Sequence, residues 1–506
     1  MPVFAPTETE LKLRLDPKHV ARLRNSAALA AAPRSDTAVI NVYFDTADRL
    51  LQRHSMALRV RQIDGRWLQT LKSGDKRGAL SQRGEWETAA RVVRGEGRLD
   101  LMRFADAPLS ELLARQKSKP QLRARFQTRF RRTQWLIEGA DALIEVALDI
   151  GEISVVSGDR REAICEVELE LKKGNPAALI ETAFELLDLK GKARPALTPV
   201  ARSKAERGYQ LACHQPATAI KASAKGFVAG LTRQTTTADA LRIALAHGVA
   251  VLTANAELLL QLDDPELVHQ ARVALRRVRS AIRLLDAEAR DVPPALSREL
   301  RWLARALGAA RDWDVIVDQT LPSLVEAIGA KSVSALQVKA GQRRQRARTK
   351  IVQAVGSARY CVLVLNAEYW CMTRAGDAPS LGDSAAASLQ DAAKRLFKAG
   401  RFFSALTPER RHRVRILAKR LRYALDLFAV ALPKQATAQY IEALAQLQDV
   451  LGRLNDGSVA LTVLPQLSKS DRMKESMQNW WSSIELELVR DSESRLLQLS
   501  KMDVPW

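Results

Sequence analysis

Five separate segments in the first half of this chain gather their charges on alternate residues, and that alternation restricts what they can become. Read as a strand, Glu8-Thr9-Glu10-Leu11-Lys12, followed by Leu13-Arg14-Leu15, puts Glu8, Glu10 and Lys12 on one face and Leu11, Leu13 and Leu15 on the other. Arg59 and Arg61 share a face in the same way. So do Arg83, Glu85 and Glu87; Glu145, Ala147 and Asp149; and Glu166, Glu168 and Glu170. An open sheet with one solvated face also alternates. Such a face rarely runs three acids in succession, as Glu166-Val167-Glu168-Leu169-Glu170 does. A closed barrel with a charged lumen explains acids and bases alternating from strand to strand, the acids suited to divalent metal and the bases to a highly anionic ligand.

The β-like runs are Ala38–Phe44, Met56–Gln62, Trp67–Lys72, Ser81–Glu87, Gln121–Glu138, Leu143–Val156 and Glu162–Lys173. Their spacing suits an antiparallel sheet that closes on itself. Pro17–Ala32 reads as one helix ended by Pro33, with further helices near Leu109–Gln116 and Pro176–Leu187. From Ala212 to Thr237 the alternation stops, and the segment reads as a linker passing into helix.

The formal charge of +22 is spread over both halves and implies an anionic partner. Cys165, Cys213, Cys361 and Cys371 have no CxxC or zinc-like spacing, which fits a reducing compartment. Met1-Pro2-Val3-Phe4 lacks the pattern of a signal peptide, and the apolar run Ala244–Leu262 is interrupted by His247, Asn255 and Glu257. The expectation is a cytoplasmic protein with no membrane span. Sparse aromatic platforms and the lack of a common nucleic-acid module argue against nucleic acid as the partner.

Nine segments then fall in one order. They are Glu8-x-Glu10-x-Lys12, Tyr43-Phe44-Asp45-Thr46, Leu58-Arg59-Val60-Arg61, the Lys72 strand, Arg83-x-Glu85, Arg132-x-x-Trp135, Ile144-Glu145-x-x-x-Asp149-x-Gly151, Glu166-x-Glu168-x-Glu170, and Ser203-Lys204 with Gly208-Tyr209. Residues 1–210 thereby resemble the CYTH domain of the triphosphate tunnel metalloenzymes. The resemblance implies an α+β domain built on an eight-stranded antiparallel β-tunnel. It also implies cleavage of inorganic or thiamine triphosphate, or cyclisation of ATP. Glu8, Glu10 and Glu168 would hold a first Mg²⁺ or Mn²⁺; Glu85, Asp149 and Glu170 would support a second and orient the attacking water. Lys12, Arg59, Arg61, Lys72, Arg132 and Lys204 would grip the phosphate chain, with Glu85, Glu170 and Lys12 closest to the chemistry. Arg132 also reads as a structural partner of Trp135. The roles of Glu145 and Glu166 stay open, and Glu87 reads as a rim charge.

Beyond about Ala238 the period becomes helical, and one pattern occurs twice. His269, Arg272, Arg276 and Arg279 fall within about 80° of arc on a helix, as do His412, Arg415, Lys419 and Arg422. Asp312 follows His269 by 43 residues, and Asp456 follows His412 by 44. Two related helical bundles packed face to face are expected. A basic stripe also serves as a solvated face, and the cluster Arg343-Arg344-x-Arg346-x-Arg348-x-Lys350 reads in that way. Residues 236–506 resemble the CHAD domain, the conserved histidine α-helical domain, which implies an all-α fold that binds inorganic polyphosphate.

The expected organisation is a tunnel domain over 1–210, a linker over 211–235 and a helical domain over 236–506. The expected activity is metal-dependent hydrolysis of inorganic triphosphate, with polyphosphate recruited by the helical half and an association with polyphosphate granules. Other readings are an adenylate cyclase of the tunnel type, a nucleoside or thiamine triphosphatase, or a non-catalytic polyphosphate-binding granule protein. The acidic set argues against the last, since binding a polyanion needs only bases.

Overall fold

The computed structural model describes residues 7–74, 78–116, 120–139, 141–187, 196–214, 216–286, 291–374 and 378–506, so the N-terminal Met1-Pro2-Val3-Phe4 lies outside the described residues. The chain forms two compact units. The first is Met1–Ala219 with Ala256–Leu260 and Val355–Thr373; the second is Ile220–Asn255, Gln261–Ala354 and Arg374–Trp506. The expected division at 211–235 follows the sequence, whereas packing crosses it: two segments from beyond residue 236 belong to the first unit.

The strands of the first unit are β1 (Thr7–Leu15), β2 (Arg34–Asp45), β3 (Met56–Ile63), β4 (Arg66–Ser73), β5 (Leu80–Ala89), the short β6 (Arg91–Val93) and β7 (Glu96–Arg98), β8 (Arg123–Glu138), β9 (Ala142–Val155), β10 (Arg161–Gly174) and β11 (Leu197–Pro199). Eight of them form a ring in the order β1-β5-β4-β3-β2-β8-β9-β10, closed by antiparallel pairing of β1 with β10. Next to β5, on the same edge of β1, β11 pairs with Leu13–Leu15. Closure leaves no open edge among these strands and separates two environments.

Leu11, Leu13 and Leu15 face outward into an apolar layer with Val146, Leu148, Val167 and Leu169, covered by the helix Ala177–Leu186. Cys361 and Leu365 of the helix Ala358–Thr373 are fully buried in the same layer, and Tyr369 of that helix donates to Glu181 at 3.1 Å. The polar parity of each strand is thereby left for the lumen.

Pro17–Ala32 is not one helix. It divides into Pro17–His19, Val20–Arg24 and Ala27–Ala30, because Asn25 ends the second piece and Ser26 is extended before the third. The helix Lys204–Ala212 lies against β8 at Gly208, where an added Cβ would come within 2.1 Å of the Phe126 ring. Gly208→Ala is therefore expected to cost about 1–3 kcal/mol through overpacking, read as a thermal midpoint lowered by several degrees.

In the second unit one succession occurs twice. Thr237–Leu259, Pro265–Leu285, Pro294–Val315 and Ala330–Val355 are followed by Leu381–Gly400, Pro408–Phe428, Lys434–Val463 and Asp471–Ser500. Pro265–Leu285 and Pro408–Phe428 are both 21 residues long, start with proline, and are capped by Asp264 and Thr407. His269 and His412 thus occupy the same place in each. Leu389, Val414, Leu421, Leu447, Leu451 and Trp481 share one core. The helix Thr237–Leu259 has the length and composition of a membrane span, but Leu241, Leu245, Val249 and Leu252 are buried against protein.

The basic cluster near Arg343 departs from the solvated face expected of it. Arg344 and Arg348 turn to the buried Asp314 at 2.9 and 3.1 Å, and Arg348 is itself buried. Arg343, Arg346 and Lys350 remain exposed.

Candidate active site in the barrel lumen

The ring encloses a cavity of about 420 Å³ whose wall carries seven carboxylates and eight cationic side chains. Their distribution follows strand order. Neighbouring strands β9, β10 and β1 supply Glu145, Glu168, Glu170, Glu8 and Glu10, an acidic arc. Strands β4, β3 and β8 supply Lys72, Arg59, Arg61 and Arg132, a basic arc. Between them β5 contributes Arg83, Glu85 and Glu87, while Lys12 and Lys204 enter from β1 and from the helix capped by Ser203.

The charges are densely paired. Lys72 Nζ donates to both oxygens of Glu8, at 2.7 and 2.6 Å, and lies 3.3 Å from Glu85. Arg83 reaches Glu10 at 2.6 Å and Glu8 at 3.4 Å, and Ser81 donates to Glu10 at 3.1 Å. Arg132 holds Asp149 with two bonds of 2.7 Å and Glu168 with a third of 2.7 Å. Lys204 lies 2.7 Å from Asp149 and 2.9 Å from Glu168, and also pairs with Glu166. Lys12 pairs with Glu10 and sits 3.6 Å from Glu168. Arg59 and Arg61 stand 3.6 and 3.8 Å from Glu85 and Glu87.

Burial and pairing act in opposite directions on these groups. Burial alone would raise Glu10 and Glu168, but Lys12 and Arg83 around the first, and Lys204, Lys12 and Arg132 around the second, hold both below the usual carboxylate range. Glu170 goes the other way: burial, with Glu8 and Glu145 nearby, lifts it despite Lys172. Arg61 is drawn down to about 10 by burial and by Arg59 and Arg132.

Strand register adds like charge beside Glu170. Across three strands Glu10 lies opposite Glu170, and Glu170 opposite Glu145. Like charges directly opposite one another destabilise a sheet. Lys172 relieves this in part, 2.7 Å from Glu170 and 3.5 Å from Glu145. A row of three acids fits a divalent cation. Asp149, Glu166 and Glu168 also present oxygens within 4.8 Å of one another and can hold a metal ion, although Lys204 stands among them here.

Glu8, Glu10, Lys12, Arg59, Arg61, Lys72, Glu85, Arg132, Glu168, Glu170 and Lys204 all line this cavity. Asp149 does not: it has the lumen-facing parity but is fully buried beneath Arg132 and Lys204, which hold it. The expected Arg132–Trp135 stacking is replaced by Arg132 over Phe130 at 5.6 Å, while Trp135 receives Arg34 at 6.0 Å. Glu145, Arg83 and Lys172 line the wall without an assigned role. The signal for Arg83 was present in its parity with Glu85, and that for Lys172 in its parity with Glu170. Arg207, which holds Glu162 and Glu166, sits on a helix where parity says nothing.

In the second unit the two stripes meet in part. Arg276 lies 5.6 Å over the Tyr423 ring, and Arg415 is 3.9 Å from Asp456. Burial, then Arg415, Arg276 and Arg272, pulls Lys419 down to about 6 against Asp456. His412 Nδ1 pairs with Asn455 Oδ1 at 2.6 Å, and His412, Arg411 and Arg415 line a second cavity of about 310 Å³. Burial, and then Arg311, lowers His269. Arg279 instead has Arg283 and Arg301 as charged neighbours, and Arg422 bonds Gln448 at 3.3 Å.

Residues 6–209 match the CYTH domain and residues 243–465 the CHAD domain. An inorganic triphosphatase of Haemophilus influenzae is 31% identical over 210 residues, 41% of this chain and 56% of that protein, so the match spans about half of the relative's length. The crystal structure of the CHAD domain from the plant Ricinus communis is 29% identical, covers 57% of this chain and 99% of its own, and superposes with a TM-score of 0.52. The structure of PptA from Streptomyces chartreusis is 17% identical over 52% of this chain and all of its own, with a TM-score of 0.42.

Proposed function

Because this chain joins a CYTH domain to a CHAD domain, we propose that its barrel hydrolyses inorganic triphosphate to diphosphate and phosphate and that its helical unit binds inorganic polyphosphate. The observation that carries the first part is one lumen with an acidic arc facing a basic arc. A cation-binding wall and an anion-binding wall in one enclosure suit an anionic substrate handled with a divalent metal. Bases alone would suffice for storage or transport.

Glu8, Glu10, Asp149, Glu168 and Glu170 are the residues that would hold Mg²⁺ or Mn²⁺. When bound, the ion supplies charge neutralisation on phosphoryl oxygens and acidifies a coordinated water. Lys12, Arg59, Arg61, Lys72, Arg132 and Lys204 bind the non-bridging oxygens and hold the chain straight for in-line attack. Glu85 is held below the usual carboxylate range, with Lys72 and Arg59 outweighing its burial, and so remains a charged acceptor that orients water. Glu170 stands between Glu10 and Glu145 in the row of acids and would help orient the same water. Water oxygen bonds to the terminal phosphorus, the bridging P–O bond breaks to release diphosphate, and the water proton leaves to solvent.

The test is phosphate release from tripolyphosphate, ATP and thiamine triphosphate with Mg²⁺ or Mn²⁺. Preference for tripolyphosphate is expected. Turnover of ATP alone, with cyclic AMP as product, would replace this reading with a cyclase.

For the helical unit, the support is the cluster of Arg272, Arg276, Arg415 and Lys419 drawn from both repeats. Lys419 is largely neutral above pH 6 and gains its charge as pH falls through about 6. Polyphosphate affinity is therefore expected to rise several-fold between pH 7.5 and 5.5 at constant ionic strength. Lys419→Met should remove a large part of that rise, checked by calorimetric titration. A cytoplasmic setting with polyphosphate granules accords with these roles.

A further inference from the structure

Glu257 lies in the last turn of the helix Thr237–Leu259, far along the sequence from the barrel strands, yet it belongs to the first unit. Its side chain is 1% exposed. A carboxylate so buried must be fully partnered, and its partners are concentrated on two consecutive residues. Oε2 accepts from the backbone amides of Ala201 at 2.8 Å and Arg202 at 3.0 Å. Oε1 accepts from Arg202 Nε at 3.0 Å and lies 2.9 Å from its terminal nitrogen. Arg14, two residues beyond Lys12 on β1, stands 3.6 Å away.

Those two residues lead directly into the lumen. Ser203 follows and caps the next helix through a reciprocal bond pair with Glu206. Lys204 is that helix's first residue, and its ammonium sits among Asp149, Glu166 and Glu168. A lysine stem is flexible, so the place of its ammonium depends on where its backbone is fixed. Here the backbone is fixed by the cap on one side and by Glu257 on the other.

We propose that Glu257 is a positioning residue for the lumen: by clamping Ala201 and Arg202 it sets the reach of Lys204 toward the phosphate chain. The inference rests on the triphosphate reading of that lumen. Glu257 touches no substrate and acts through Lys204, so its loss should weaken binding in ground and transition states alike.

The experiment uses the full chain. In Glu257→Gln the acceptor for the two amides survives in part but the charge facing Arg202 and Arg14 is gone. KM for tripolyphosphate is expected to rise about tenfold with kcat within about twofold. Arg202→Met, which leaves both amide bonds, should raise KM less. In a double-mutant cycle Glu257→Gln and Lys204→Met should be strongly non-additive, whereas Glu257→Gln and Arg61→Met should add. A merely structural role would leave KM unchanged and lower kcat with the folded fraction, or give additive effects with Lys204→Met; either result overturns the proposal. A wild type that fails to turn over tripolyphosphate would reject the triphosphatase reading instead. The role of Glu257 is then read from the same cycle in Kd for metal-free tripolyphosphate.

Discussion

Glu10→Gln is expected to lower triphosphate turnover by about a thousandfold, at the upper end of what removing one preorganised electrostatic partner does. Glu10 is 3% exposed and sits where the acidic arc meets Lys12 and Arg83. It is also an end member of the row Glu10–Glu170–Glu145. An amide keeps the shape and the bond from Ser81 but removes a full charge from the cation-binding wall. Two cations lose part of their partner, which biases the lumen toward anions and away from metal. Metal-free binding of tripolyphosphate should therefore be retained or tightened while hydrolysis disappears, and polyphosphate binding by the helical unit should not change. Near-wild-type turnover in a folded Glu10→Gln protein would rule out metal-assisted hydrolysis at this wall. The pH sign follows from the same group. Its folded pKa is depressed, so its stabilising contribution is present above the ordinary carboxylate range and is lost as pH falls below it.

The second large effect concerns the helix Ala358–Thr373. Leu365 is fully buried in the apolar layer outside the barrel, alongside Leu11, Leu169 and Leu179. Leu365→Ala is expected to destabilise the first unit by about 2–5 kcal/mol, the transfer term plus the cavity left behind. Leu365→Asp adds an unpaired buried charge and should prevent the unit from folding. A chain ended at residue 210 would expose the same layer and lose Glu257 as well, so it is expected to aggregate. Limited proteolysis and thermal denaturation monitored by tripolyphosphate turnover check all three. A soluble 1–210 fragment with full activity would show that this helix is dispensable to the barrel.

Strand parity was legible because a pleated strand sends alternate residues to opposite faces whatever its neighbours are. Every β-like run of the first half accordingly became a strand within a few residues of its expected ends, from Ala38–Phe44 inside β2 to Glu162–Lys173 inside β10. The helical repeat was legible for the same kind of reason, through the fixed arc between His269, Arg272 and Arg276. Pro17–Ala32 failed because local composition favours helix while the Asn25-Ser26 step breaks it. Asp149 had the right parity, but Arg132 and Lys204, remote from it in sequence, cover it, so it does not reach the cavity surface. Glu257 read only as an interruption in an apolar run.

By itself the sequence determined which side chains of each segment share a face, because that depends only on the backbone period. Which faces meet was decided by closure of β1 on β10, which sets Glu10 against Glu170, and by the packing of residues 256–260 and 355–373 into the first unit. Contacts between residues far apart in the chain depend on how apolar layers fill space, and no local repeat encodes that.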